Sequence, residues 1–75
     1  MERYKNSSGN SGVFAYEIGN DSITVQFGHG GTYLYNYQSA GSQNIEHMKG
    51  LAIAGSGLGS FINRNVKNKY AAKLR

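Results

Sequence analysis

The sequence predicts an α+β domain: a three-stranded antiparallel β-meander followed by two short helices packed on one face of the sheet. Two observations carry that expectation. In the first half, three β-rich runs are punctuated by clusters of Gly, Asn and Asp. In the second half, the apolar spacing changes from every second residue to every third or fourth.

Residues 1–12 (MERYKNSSGNSG) are polar and rich in Ser, Gly and Asn. They bury too little to offset the entropy of ordering, so a flexible N-terminal tail is expected before a single domain at 13–75. The first strand run, Val13–Ile18, stops at Gly19-Asn20-Asp21. The second, residues 22–28, stops at His29-Gly30-Gly31, and the third, 32–37, runs into Gln38-Ser39-Ala40-Gly41. Asn, Asp and Gly supply the positive φ values of tight hairpins. Connections this short permit only antiparallel pairing.

Alternation assigns the faces. Ile23, Val25 and Phe27 share one side of the second run, and Tyr33, Tyr35 and Tyr37 share one side of the third. Thr24, Gln26, Thr32 and Asn36 form the better wet face, which places the three tyrosines under the helices in core or rim positions. The competing reading is an exposed aromatic platform for stacked bases.

Ile45, Met48, Leu51 and Ala52 then follow helical spacing, with Ser42 as the expected N-cap and Gly50 as a weak point. The glycine-rich residues 55–60 break this helix. Ser60 is the expected cap of a second helix, on which Ile62, Val66 and Tyr70 make an apolar stripe while Arg64, Lys67 and Asn68 project elsewhere.

The totals exclude several function classes. A chain of 75 residues makes one small domain that buries only ~60% of its unfolded surface. Stability of roughly 5 kcal/mol follows from the per-residue norm. With no cysteine, neither disulfides nor a thiolate zinc site reinforce it. No apolar run approaches the ~20 residues of a membrane helix, and a signal-peptide core is absent, so a soluble cytoplasmic protein is expected.

His29 and His47 are too thin a set for a metal site. Glu2, Glu17, Asp21 and Glu46 are scattered, with no acid–base spacing. Ser56 and Ser60 lack a nucleophile setting. The expectation is a protein that is not an enzyme, with no catalytic residues, no metal and no cofactor.

The feature that points to a partner is charge. Net charge is +4, and between Phe61 and Arg75 there are five basic residues, Arg64, Lys67, Lys69, Lys73 and Arg75, with no Asp or Glu. No i,i+4 acidic partner offsets their repulsion within the segment. They suit nucleic acid or an acidic protein surface. The plainer alternative is a solvated helical face. Glycines before a helix N-terminus also leave amides able to meet phosphate, which makes Gly57, Gly59 and Ser60 a possible phosphate-contacting turn. That run lacks a P-loop ending, and a helix–helix turn with αL glycines is the favoured account of it.

The pattern Phe14-Ala15-Tyr16, Ile23-x-Val25-x-Phe27, Tyr33-x-Tyr35, Ala54-Gly55-Ser56-Gly57 and Phe61-Ile62-Asn63-x-x-Val66-x-x-x-Tyr70 resembles the KTSC domain. That small domain is named for its place at the C-terminus of some lysyl-tRNA synthetases and also occurs as short free-standing proteins of bacteria and phages. The resemblance spans about residues 13–70. It departs where such domains have a Val-Pro pair after the third strand; here the chain reads Tyr37-Gln38-Ser39-Ala40-Gly41 and has no proline. It implies a meander followed by helices and, by analogy with the synthetase context, contact with RNA.

The expected function is therefore a non-catalytic nucleic-acid-binding module, for RNA or single strands, acting through a basic C-terminal helix. An alternative is a phage- or mobile-element-type protein-binding module or inhibitor; Gly55-Ser56-Gly57-Leu58-Gly59 is similar to a segment of a small anti-CRISPR inhibitor. A further alternative is a homo-oligomer that holds a small nucleotide at the glycine loop.

Overall fold

The computed structural model of the chain describes residues 1–6 and 12–75. The turn chemistry delivers the meander. Strands β2 (Val13–Ile18), β3 (Ser22–Phe27) and β4 (Gly31–Asn36) pair antiparallel in chain order. Gly19 donates its amide to the Ser22 carbonyl at 2.9 Å, closing the first hairpin.

A bulge between Val13 and Ala15 sets the faces of β2. Residues three apart in a regular strand point to opposite sides, yet Val13 and Tyr16 pair with Phe27 and Val25, neighbours on one face of β3. The extra residue at Phe14 restores the phase, so Val13 and Tyr16 are both buried and Phe14 is exposed.

Among the described residues the sheet has five strands, not three, paired in chain order, with Glu2–Arg3 (β1) and Ala72–Lys73 (β5) outside the meander. The chain supplies both edges. Strand β1 (Glu2–Arg3) pairs with β2, and the Tyr4 amide continues the pairing with a 3.0 Å bond to the Phe14 carbonyl. The start of the expected tail is thus part of the fold, because the Tyr4 ring is buried to 4% exposure. Residues 7–11 of that expected tail lie outside the described residues.

The third strand ends one residue earlier than its sequence pattern suggests. Asn36 caps helix α1 (Tyr37–Ala40): its side chain accepts from the Ser39 amide, and the Ser39 hydroxyl accepts from the Asn36 amide. Tyr37 therefore leaves the sheet and is exposed, while Tyr35 is buried and Tyr33 half-buried. Of the three tyrosines expected on one face, Tyr33 and Tyr35 stay there. Thr32, expected on the wet side, is buried, and its carbonyl accepts from the amides of Leu74 and Arg75.

Helix α2 (Ser42–Ala54) buries Ile45, Met48 and Ala52. Gly41 is its N-cap, so Ser42 is the first helical residue and not the cap. Gly55, in the αL conformation at φ 76°, ends it. Gly57, at φ 84°, then starts helix α3 (Leu58–Phe61) three residues before the expected cap at Ser60. Helix α3 runs directly into a π-helical segment, Ile62–Val66.

The expected basic helix ends there. Lys69 donates its amide to the Val66 carbonyl at 2.8 Å, the chain turns, and strand β5 (Ala72–Lys73) joins the free side of β4. Tyr70 is thereby removed from the helical stripe. Leu58, Ile62 and Val66 complete a core with Ile23, Val25 and Tyr35 of the sheet and Ile45 and Met48 of α2. No helix among the described residues is long and apolar enough to cross a membrane.

Candidate nucleic-acid interface

The turn at residues 67–71 brings three aromatic rings onto one another. Tyr70 lies 4.8 Å from Tyr33, ring centroid to centroid, and 6.4 Å from Tyr35 in an edge-on arrangement. Phe27 meets Tyr33 edge-on at 5.9 Å. Together these four rings line a cleft of about 290 Å³.

The π-helical segment contributes Ile62 and Asn63 to the lining, and the turn beyond it contributes Lys67 and Asn68. A π turn is closed by i→i+5 bonds and is wider than an α turn, so residues four and five apart face nearly the same way. That geometry lets Asn63, Lys67 and Asn68 share one cleft.

Strand β5 places a second cation there. Lys73 pairs with Tyr33 in the sheet register, and its Nζ lies 5.7 Å from the Tyr33 ring centre. Arg75 is anchored beside it through its amide on the Thr32 carbonyl. Gly31 is required at this edge: its φ is +105°, and a Cβ there would come 2.5 Å from the Arg75 carbonyl oxygen.

The sequence-derived basic set therefore divides. Lys67 lines the cleft, Lys73 reaches the Tyr33 ring from β5, and Arg64, Lys69 and Arg75 are exposed but not part of its lining. Gly57, Gly59 and Ser60 sit at the other end of the α3–π run. Their neighbour Leu58 already gives its amide to the Tyr4 hydroxyl. At Gly55 a Cβ would meet the Lys5 Cβ at 2.5 Å, so close packing and αL geometry account for glycine there.

None of the four carboxylates lines the cleft. Glu46 accepts from the Tyr37 hydroxyl at 2.6 Å and from Lys49 Nζ at 2.8 Å. These bonds, that from Lys49 foremost, hold its pKa below the ordinary value. Glu2 and Glu17 line a different hollow of about 450 Å³, with Met1, Tyr16, Ile18 and Ile53. That hollow lies beside β1, at the opposite edge of the sheet from β5.

The histidines do not converge. His29 is exposed in the β3–β4 turn, and His47 stacks on Phe61 at 4.7 Å. Among the described residues, no three His, Cys, Asp or Glu side chains form a metal-binding group.

Sequence reasoning did not single out Phe27, Tyr70, Asn63 or Asn68 as site residues. A usable signal was the run Asn63-Arg64-Asn65-Val66-Lys67-Asn68, in which amides alternate with cations. No family model matches the chain, and neither does any curated protein or solved structure.

Proposed function

We propose that the chain is a non-catalytic module that binds single-stranded nucleic acid, RNA in the first instance, on the face formed by β4, β5 and the π-helical segment. The observation that carries this reading is the cleft itself. Rings available for stacking lie beside Lys67 and Lys73, and no Asp or Glu among the described residues lines the cleft. Single-strand binders combine a cationic track for phosphates with aromatic rings for bases. The basic residues act from a turn and an edge strand as well as from a helix. The KTSC resemblance supports the same reading, since Ile62, Asn63 and Tyr70 of its most specific motif line the cleft.

The test is an amide NMR titration with short single-stranded RNA and DNA, at low and then physiological salt. Shifts at Gly30, Tyr33, Asn63, Lys67, Asn68 and Lys73 that weaken with salt are expected. No shifts at low salt would refute the reading.

A second reading, a protein-binding module or inhibitor, is supported by the hollow beside β1. Ile53 is 62% exposed and Ile18 40% exposed there, next to Glu2 and Glu17. A basic segment with an apolar side chain complements that surface. Purification from a native host separates the two: raised absorbance at 260 nm supports the first, a stoichiometric protein the second.

A further inference from the structure

We propose that the cleft between the aromatic cluster and the π-helical segment takes one unstacked nucleobase, whose edge is read by the amides of Asn63 and Asn68. This rests on the nucleic-acid reading above and goes further by naming what enters the cleft.

The asparagines carry the inference. Among the described residues, Asn65 gives its side-chain amide to the Phe61 carbonyl at 3.1 Å, Asn44 bonds the Ala40 carbonyl, and Asn36 caps α1. Asn63 and Asn68, which line the cleft, have no hydrogen bond from their side chains to any described residue. Each carries two N–H donors and a carbonyl acceptor, the complement of a base edge.

Size points the same way. Pockets for drug-sized ligands span ~300–1,000 Å³, and this cleft, at about 290 Å³, admits one planar ring system. Phe27 and Tyr70 offer partly exposed ring surface for stacking. Lys67 lines the same cleft, so the phosphate attached to that base has a cation within it. A duplex keeps its bases stacked and its pairing edges occupied, so recognition of this kind selects single strands, loops or bulges.

The experiment compares four probes by NMR and fluorescence anisotropy: nucleoside 5′-monophosphates, ribose 5-phosphate, an eight-nucleotide RNA, and the same RNA with alternate positions abasic. Monophosphates at millimolar concentration should shift the Asn63 and Asn68 side-chain NH₂ and the Tyr70 ring resonances. Ribose 5-phosphate should not. The abasic RNA should bind at least tenfold more weakly than the intact strand. Asn63→Ala with Asn68→Ala should level the ranking among the four bases while leaving the melting temperature unchanged, both positions being exposed. Equal binding of intact and abasic RNA would overturn base insertion and leave the nucleic-acid reading standing. Failure of the intact RNA to bind at low salt would overturn both.

Discussion

The backbone amide of Leu58 donates a 3.2 Å hydrogen bond to the phenol oxygen of Tyr4, 54 residues earlier in the chain. This bond ties the residue after β1, one of the sheet's two edge strands, to the start of α3. Both residues are buried, so removing the hydroxyl strands a donor away from water.

Tyr4→Phe should therefore destabilise the domain by about 1–3 kcal/mol, the cost of a buried donor without a partner. For a domain of this size that corresponds to roughly 4–8 °C in Tm per kcal/mol. Calorimetry or urea unfolding checks it, and an unchanged Tm would mean that the bond contributes nothing. If the nucleic-acid reading holds, RNA affinity below the transition should be unaffected, because neither Tyr4 nor Leu58 lines the cleft.

The central elements were legible because their signals are local. Turn residues bracket β2, β3 and β4, and Ile45, Met48 and Ala52 mark the buried side of α2 by spacing alone. The edges were not legible. Glu2–Arg3 and Ala72–Lys73 are two-residue strands with no alternation to read, and their pairing is set by contacts distant in sequence. Tyr70 shows the same limit. Its i+4 spacing from Val66 fits a helix, but the chain turns after Val66 and the ring packs on Tyr33 and Tyr35. The basic cluster was visible as composition, while the aromatic half of the cleft depends on that turn. Its polar lining depends on a π turn that no residue pattern announced.

Gly50 and Gly55 should respond to alanine with opposite signs. Gly50 lies inside α2, is exposed, and has nothing within 4 Å of where a Cβ would stand. Gly50→Ala should stabilise by about 0.4–1 kcal/mol, from better helix propensity and a less flexible unfolded chain. Gly55→Ala should destabilise, since φ is +76° and the new methyl collides with Lys5. Urea midpoints of the pair decide it. A loss of stability in Gly50→Ala would contradict an open surface at that helical face.

Charge reversal should separate Lys67 from Arg64, neighbours three apart in sequence. Lys67 lines the cleft and Arg64 does not. If the nucleic-acid reading holds, Lys67→Glu should weaken RNA binding about tenfold more than Arg64→Glu. It should also reduce the slope of log K against log salt by about 1 for each phosphate that the variant no longer neutralises. Equal effects would indicate diffuse attraction to a basic surface, and would move the binding site away from the cleft.

Alkaline pH should destabilise the domain through Tyr35. Burial foremost, with Tyr33 and Tyr70 adding, pushes its phenol from 10.0 up to about 12. The neutral form is thus the one that the fold favours. Below pH 10 the phenol is protonated in both states and its contribution to stability is fully present. Between pH 10 and about 12 the unfolded chain releases the proton while the folded chain retains it. Unfolding is favoured progressively across that window. Stability measured by urea unfolding should fall over this range, and tyrosinate absorbance at 295 nm should show Tyr35 titrating late, together with Tyr37, whose bond to Glu46 also raises its phenol. Tyr35→Phe keeps the ring against Tyr70 and removes the ionisation, so its stability should fall less steeply from pH 10 to 12. Identical pH profiles for the two proteins would assign the alkaline loss to other groups.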